Sequence, residues 1–397
     1  MATLLLLVIY LTFISLGLPD SLLGAAWPVM RHDLEAPLGA AGALSFTVTI
    51  GTIVSALSTS RVVRGIGTAR TTMISVALTA GALFGFSVAP SVVWLMFFAV
   101  PLGLGGGAVD SALNHYIAAN YKAHHMSWLH CFWGVGVTVS PMIMAAYLDE
   151  GAWRDGYLTV GLIQTGIAAM LLASLPLWKR TEKKRADGGQ ARQADAPGSA
   201  PDEPSKPKNA SGVKFALGTF LFYCGVEVTA GLWGSSYLVN IKGFSADDAA
   251  MWVSIYWAGL TAGRLFNGFV TFRYSSKTLI RAGEIITLAG TALMLLPLPT
   301  GFTLAGFLIT GLGLAPIFPS MLHETPARFG EAHAGRIMGY QFATAYTGAA
   351  VLPPLLGVLA EYVTIGVFPL YIVLMAASML FATERLNRLL RRRNEAV

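Results

Sequence analysis

Stretches of about 20 mostly apolar residues recur along the chain, separated by short polar segments. A helix needs about that length to cross the hydrocarbon core of a bilayer. Qualifying runs cover 4–29, 39–60, 71–89, 92–118, 127–148, 156–178, 214–239, 249–271, 279–298, 302–323, 336–358 and 364–384. The pattern predicts an all-α membrane protein with twelve transmembrane helices. A membrane β-barrel would show alternating segments about ten residues long. Continuous apolar runs such as Leu4–Ile9 and Leu370–Met375 argue against that. The stretch from Thr3 to Met30 has no basic region before it and exceeds the apolar core of a signal peptide, so it reads as the first span.

Composition supports the same class. Hydrophobic residues make up 54% of the 397 and charged residues 12%, against roughly 25% charged in soluble domains. The net charge of +6 does not form a nucleic-acid face, because the lysines and arginines sit in loops. With the N-terminus inside, the inner loops and tail hold 23 of the 27, and the outer loops only Arg31, Arg154 and Lys242. Cytoplasmic loops carry such an excess. Both termini are therefore expected in the cytoplasm, in a bacterial inner membrane. The polar stretch Lys179–Ser211, rich in Lys, Asp, Pro, Gly and Ser, buries too little apolar surface to fold. It divides the chain into a six-helix bundle at 1–178, a flexible linker at 179–213, a second bundle at 214–386 and a basic tail at 387–397. Cys131 and Cys224 lie inside apolar runs, so no disulfide framework is expected, and no metal-ligand spacing appears.

The halves repeat. GTIVSALSTSR (51–61) matches GRLFNGFVTFR (263–273), placing Gly51 over Gly263 and Arg61 over Arg273. GLG at 103–105 matches GLG at 311–313, Pro141 falls on Pro353, and Asp20 with Gly24 falls on Glu227 with Gly231. The offsets of 207 to 212 join span n to span n+6 in the same orientation. Two such pseudo-symmetric bundles enclose a central site and rock around it. The motifs GLPDSLLGAAWP (17–28), GLGGGAVDSALN (103–114), FYCGVEVTAGLWGSSYL (222–238), YWAGLTAGR (256–264) and GLGLAPIFPSML (311–322) carry a resemblance. Over its full length the chain resembles the major facilitator superfamily. Within it, the chain is similar to the branch of the fucose–galactose–glucose:proton symporters and the sodium-dependent glucose transporter relatives. The loop RVVRGIGTAR (61–70) resembles the superfamily's loop signature but lacks its usual Asp. Arg61, Arg273 and Arg264 are the expected gating residues.

A charge at the bilayer centre costs at least about 2.5–3.5 kcal/mol on insertion scales, so each one needs a reason. Glu284, Glu361 and Glu384 lie near span ends and are expected to be wetted. Asp20, Asp110 and Glu227 are the candidates for proton coupling. Asp20 shares a helical face with Phe13, Gly17, Gly24 and Trp27; its bland reading is a cap on a helix weakened at Pro19. The resemblance implies a span-1 aspartate that helps bind substrate or proton. Asp110 shares a face with Gly103, Gly106, Gly107 and Asn114, and its bland reading is a hydrogen bond to an Asn or backbone partner. The resemblance implies a span-4 acid that takes part in proton coupling. Glu227 is the repeat-mate of Asp20, whereas Asp110 faces Phe318 at the matching place. Coupling is therefore expected in the N-terminal half, with aromatic and amide contacts from the C-terminal half. Arg264 is more simply a structural partner for a carboxylate or helix-end carbonyls.

The candidate cavity residues are aromatic and amide: Trp27, Asn114, His130, Trp133, Tyr223, Trp233, Tyr256, Trp257, Asn267, Tyr340, Gln341 and Tyr346. Asp20 and Glu227 join them as substrate contacts. Neutral sugars suit such a set, whereas an organic phosphate calls for free Arg or Lys. His115, His130 and His323 read as packing residues. The expectation is a monomeric, proton-coupled importer of a neutral sugar or similar polyhydroxylated molecule, with no cofactor and sodium as the alternative coupling ion. The competing reading is a proton-driven exporter of hydrophobic compounds, because GVGVTVSP (134–141) is similar to an antiporter motif. A membrane sensor would lack a folded soluble domain, and no nucleophile–base arrangement suggests an enzyme.

Overall fold

The computed structural model describes residues 2–121, 123–187, 210–271 and 273–394, and among them every regular element is helical. The α-helices are α1 (Ala2–Asp20), α2 (Leu22–Asp33), α3 (Ala40–Ile66), α4 (Thr68–Val88), α5 (Val92–Asn120), α6 (Ala123–Leu148) and α7 (Trp153–Asp187). They continue as α8 (Ala210–Lys242), α9 (Ala246–Val270), α10 (Ser276–Leu295), α11 (Thr300–Leu314), α12 (Ile317–Phe329), α13 (Glu331–Tyr362) and α14 (Phe368–Asn394). Fourteen helices make twelve spans because the first and tenth spans are broken, α1 from α2 at Ser21 and α11 from α12 at Ala315–Pro316. Eleven stretches among the described residues are long and apolar enough to cross a membrane. The twelfth span is α9, 25 residues long, which carries Asp247, Asp248 and Arg264. Within the expected linker, α7 continues to Asp187 and α8 starts at Ala210. Residues 188–209 of that linker, Lys122 and residues 395–397 of the tail lie outside the described residues.

The described residues form two compact units. The first holds α1 to α7 together with Leu238–Ser254; the second holds α8 up to Tyr237 and the chain from Ile255 onward. Within the first, α1 packs on α6 and α7, α3 on α5, and α4 on α5 and α7. Its core gathers Leu5, Ile9, Phe13, Leu113, Ile117 and Trp178 around the α1–α5–α7 contact. Between membrane helices such packing is driven by van der Waals contact at small residues, because lipid is as apolar as the core.

The repeat seen in the sequence is a repeat of contacts. A Cβ on Gly103 would meet the Val48 carbonyl oxygen at 2.1 Å, and one on Gly311 would meet the Tyr256 carbonyl oxygen at 2.2 Å. Both partners sit at the same offset. Gly105 likewise abuts Ser75 and Thr79, while Gly313 abuts Gly283 and Thr287. The glycines therefore set backbone-to-backbone approach at α3–α5 and α4–α5 in one unit, and at α9–α11 and α10–α11 in the other.

Prolines leave a second imprint. A proline inside a helix donates no N–H, so the carbonyl four residues earlier loses its partner. In lipid that carbonyl must be satisfied from elsewhere in the protein. Pro19 orphans Ser15 O, and Gln164 of α7 supplies the bond, Nε2 donating to Ser15 O at 2.6 Å. The Ser15 hydroxyl returns a bond to Gln164 Oε1 at 2.5 Å. Pro141 orphans Val137 O, which accepts from the Ser21 hydroxyl at 2.8 Å. Both orphaned carbonyls are thus met by side chains of a neighbouring helix, and the two bonds hold the break between α1 and α2 against α6 and α7.

One expectation about buried charge is corrected. Glu284 is not wetted: it is fully buried, and Thr383 Oγ1 of α14 donates to its Oε1 at 2.6 Å. Thr219 of α8 continues the chain of hydroxyls, 3.0 Å from Thr383. Eight residues into α10, the side chain faces α14, which packs along the helix. Nearness to a helix end did not mean access to water. Glu361 is exposed, and Glu384 pairs with the half-exposed Arg281 at 2.9 Å.

Candidate functional site

In the first unit Asp20 is the last residue of α1, placed by the break that Pro19 and Ser21 create. It is exposed, and the Trp133 indole of α6 donates to its Oδ2 at 2.8 Å. The approach depends on glycine: a Cβ on Gly17 would lie 2.2 Å from the Trp133 carbonyl oxygen, and one on Gly136 would lie 2.3 Å from Ile14 O. The small residues beside Asp20 thus serve contact with α6. The pair still leaves an accessible carboxylate beside a half-buried indole, a combination that can take a hydroxyl on the carboxylate and a sugar ring on the indole face. The break falls at Ser21, whose hydroxyl bonds Val137 O.

Asp110 and Asn114 meet along α5. The Asn114 amide donates to Asp110 Oδ1 at 2.8 Å and to the Asp110 carbonyl at 2.9 Å. Both residues are half-buried. Gly103 and Gly107, on the same face, are occupied by α3 at Val48 and Thr52.

In the second unit the candidates converge. Arg264 of α9 donates from Nη2 to Glu227 Oε1 of α8 at 2.9 Å and to Tyr223 Oη at 3.2 Å. Tyr223 in turn donates to Glu227 Oε1 at 3.3 Å. Tyr256 holds the same stretch of α8 by donating to the Glu227 carbonyl at 3.0 Å. The ion pair is nearly buried, with the two side chains 15% and 11% exposed. Guanidinium and carboxylate therefore answer each other, which is what makes a charged α9 tolerable in a bilayer. Phe318, the repeat-mate of Asp110, packs on Tyr223 with ring centroids 5.6 Å apart. The Trp257 indole lies against Gly231, where a Cβ would meet Cζ2 at 2.4 Å. Asn267, one turn beyond Arg264, is buried, and its Oδ1 has no hydrogen-bond partner among the described residues.

The remaining candidates are committed to packing or lie at the surface. Trp27 is fully buried and donates to Leu38 O at 2.9 Å. Trp233 is fully buried and donates to Pro353 O at 2.8 Å. Gln341 accepts from Thr325 at 3.0 Å, and the His130 ring meets Phe13 edge-on at 5.9 Å. Tyr346 is half-buried and Tyr340 exposed. His115 and His323 are exposed, the latter 3.3 Å from the Ser276 hydroxyl. Arg61 and Arg273 are exposed and lie in no ion pair among the described residues. Two buried charged groups lie outside the expected set, Glu284, which reads from the sequence as wetted, and Arg328, which pairs with Glu324 at 3.5 Å.

These features define a polytopic membrane transporter: helical spans, glycine-set helix contacts repeated at one offset, and charges answered inside the bilayer. The family model of the Major Facilitator Superfamily matches residues 9–210 and 215–396, and the chain belongs to that family. It is similar to the Bypass of stop codon protein 6 of Saccharomyces cerevisiae, 26% identical over 94% of this chain and 80% of that protein. It is also similar to the glucose/mannose transporter GlcP of Bacillus subtilis, 22% identical over 72% of this chain and 71% of that one. Among solved structures, that of the nucleoside transporter NupG shares the fold with a TM-score of 0.73 at 15% identity, covering 96% of this chain and 98% of NupG.

Proposed function

We propose that the protein is a secondary active transporter that takes up a neutral polyhydroxylated molecule, a sugar foremost, in symport with protons by alternating access. The carrying observation is the commitment of Arg264 to Glu227 and Tyr223. An anionic substrate is held by a cation that can turn toward it, and this guanidinium is engaged. Asp20 with Trp133, and the polar face of α5 at Asp110 and Asn114, supply the acceptors, donors and aromatic surface that a neutral polyol needs. The likeness to a glucose/mannose transporter supports the same substrate class. Asp110 and Asp20 are the residues assigned to proton exchange, with Glu227 holding or releasing Arg264 as the carrier changes state. The excess of lysine and arginine in alternate loops supports a bacterial inner-membrane location with both termini in the cytoplasm.

Counterflow of radiolabelled glucose, mannose and a nucleoside in proteoliposomes, with and without a pH gradient, tests this reading. Exchange of a neutral polyol, with accumulation only under an inward proton gradient, is expected. Exchange of a lipophilic cation in place of every polyol would make the protein an exporter and sink the proposal.

A further inference from the structure

The first unit carries a groove between α3, α4 and α5, about 230 Å³ in volume. Val54, Val62, Ile66, Ile74 and Leu78 form its rim and are all exposed. The hydroxyls beneath are spent on the protein itself: Ser55 donates to Leu104 O at 2.5 Å, Ser58 to Val54 O at 2.9 Å and Thr59 to Ser55 O at 2.7 Å. The lining is therefore apolar in effect. From Val54 to Ile66 the groove follows twelve residues of α3, about 18 Å at the helical rise. One leaflet of the hydrocarbon core is about 15 Å deep, so the groove runs the depth of a single leaflet.

At its end, α3 passes into α4 through Gly67, whose φ of +83° permits the turn. Arg61, Arg64 and Arg70 flank that turn and are exposed. Arg61 follows Ser58 by three positions and so shares its side of α3. None of the three arginines has an ion-pair or hydrogen-bond partner among the described residues. The loop also contains no acidic residue, since RVVRGIGTAR has neither Asp nor Glu. An acyl-chain-length groove thus opens beside three unanswered cations.

We propose that this groove is a binding site for one anionic phospholipid, an acyl chain lying along α3 and α4 and the phosphate resting on Arg61, Arg64 and Arg70. The chain length matches the leaflet, and the headgroup supplies the negative charge that the loop lacks. Basic residues beside a membrane surface attract anionic lipid with a strength that grows with each residue, equivalent to about fivefold in affinity per arginine.

Native mass spectrometry of the protein released from phosphatidylcholine nanodiscs containing a minority of phosphatidylglycerol provides the test. The wild type is expected to retain one phosphatidylglycerol. The triple variant R61Q/R64Q/R70Q should bind it about 100-fold more weakly. Ser58→Trp, which fills the groove without changing charge, should also lose it. Each single arginine variant should show the fivefold step, which carries the test if the triple variant does not purify as a monodisperse protein. The proposal is overturned if phosphatidylcholine is retained equally, or if the arginine variants bind phosphatidylglycerol as the wild type does. It also fails if Ser58→Trp has no effect, or if inorganic phosphate displaces the lipid, since the arginines would then form a plain anion patch.

Discussion

Replacing Glu227 by Gln removes the negative charge that answers the Arg264 guanidinium in the second unit. Breaking a buried pair by removing one partner typically costs 3–5 kcal/mol, because the surviving charge stays desolvated. The two side chains keep 15% and 11% exposure, so water reaches them slightly and the cost falls near the low end, about 3 kcal/mol. For a unit of this size 1 kcal/mol corresponds to about 2–4 °C in Tm, which puts the loss for Glu227→Gln at about 6–12 °C. The reverse change, Arg264→Met, should cost less. A carboxyl stranded in a low-dielectric site can take up a proton, whereas a guanidinium cannot lose one. Met also keeps most of the buried volume of the arginine stem. The double variant should recover most of the stability, since replacing both partners by groups that carry no charge removes the desolvation penalty along with the attraction. The assay is thermal unfolding of the purified protein in one detergent, followed by far-ultraviolet circular dichroism across the four members of the cycle. Equal losses for the two single variants, or a double variant as unstable as their sum, would refute the reasoning and make the observed contact incidental to stability.

Four other outcomes follow from the geometry. Gln164→Leu leaves Ser15 O without its donor and should cost about 1–3 kcal/mol; in a Pro19→Ala background, where Ser15 O regains a helical N–H, the same change should cost measurably less by denaturation in mixed micelles. Gly103→Ala and Gly311→Ala each press a methyl onto a backbone carbonyl and should destabilise by a similar amount, about 1–3 kcal/mol, whereas Gly335→Ala, with nothing within 4 Å in α13, should stabilise by about 0.4–1 kcal/mol on thermal unfolding. Asp110→Asn should abolish proton-driven accumulation in proteoliposomes while exchange persists; loss of both would make the carboxylate structural. Trp133→Phe removes the donor to Asp20 while keeping an aromatic ring and should raise the KM for uptake, lowering Tm by only about 1–2 °C because a half-buried hydrogen bond contributes about 0.5 kcal/mol.

The spans were legible because a bilayer demands some 20 apolar residues in a row, and nothing else in a chain of this composition produces that signal. The repeat was legible for a related reason. Gly103 and Gly311, and Gly105 and Gly313, are the positions where backbones touch, so their spacing carries the helix contacts directly. What could not be read was which side chains meet across helices. In the sequence Arg264 reads as a gating residue or a partner for some carboxylate, and Glu227 as a coupling acid, with nothing to join the two. Yet α8 and α9 form an antiparallel hairpin in which Glu227 lies fifteen residues before Lys242 and Arg264 eighteen after Ala246. Counting outward from the turn places them level, and that count is the signal that would have paired them. Glu284 is hidden for the opposite reason: nearness to a helix end suggests wetting, but burial is decided by the neighbour, here α14.

The asymmetry between the halves also takes a different form from the one the sequence suggests. Asp20 and Glu227 occupy matching positions, but the first span breaks immediately after Asp20 and leaves the carboxylate exposed, while α8 runs unbroken through Glu227 and buries it. Pro19 has no counterpart in α8, where Val226 precedes the acid. The same two acids therefore inherit opposite environments from one residue of backbone chemistry. In the first unit the carboxylate is exposed beside the Trp133 indole; in the second it is spent on Arg264, and Phe318 stands where Asp110 stands in the first. On the proposed function the exchangeable acids belong to the first unit, while in the second a charge pair joins α8 to α9. Neutralising Asp20 should therefore alter substrate or proton dependence at nearly constant stability, whereas neutralising Glu227 should lower stability and transport together.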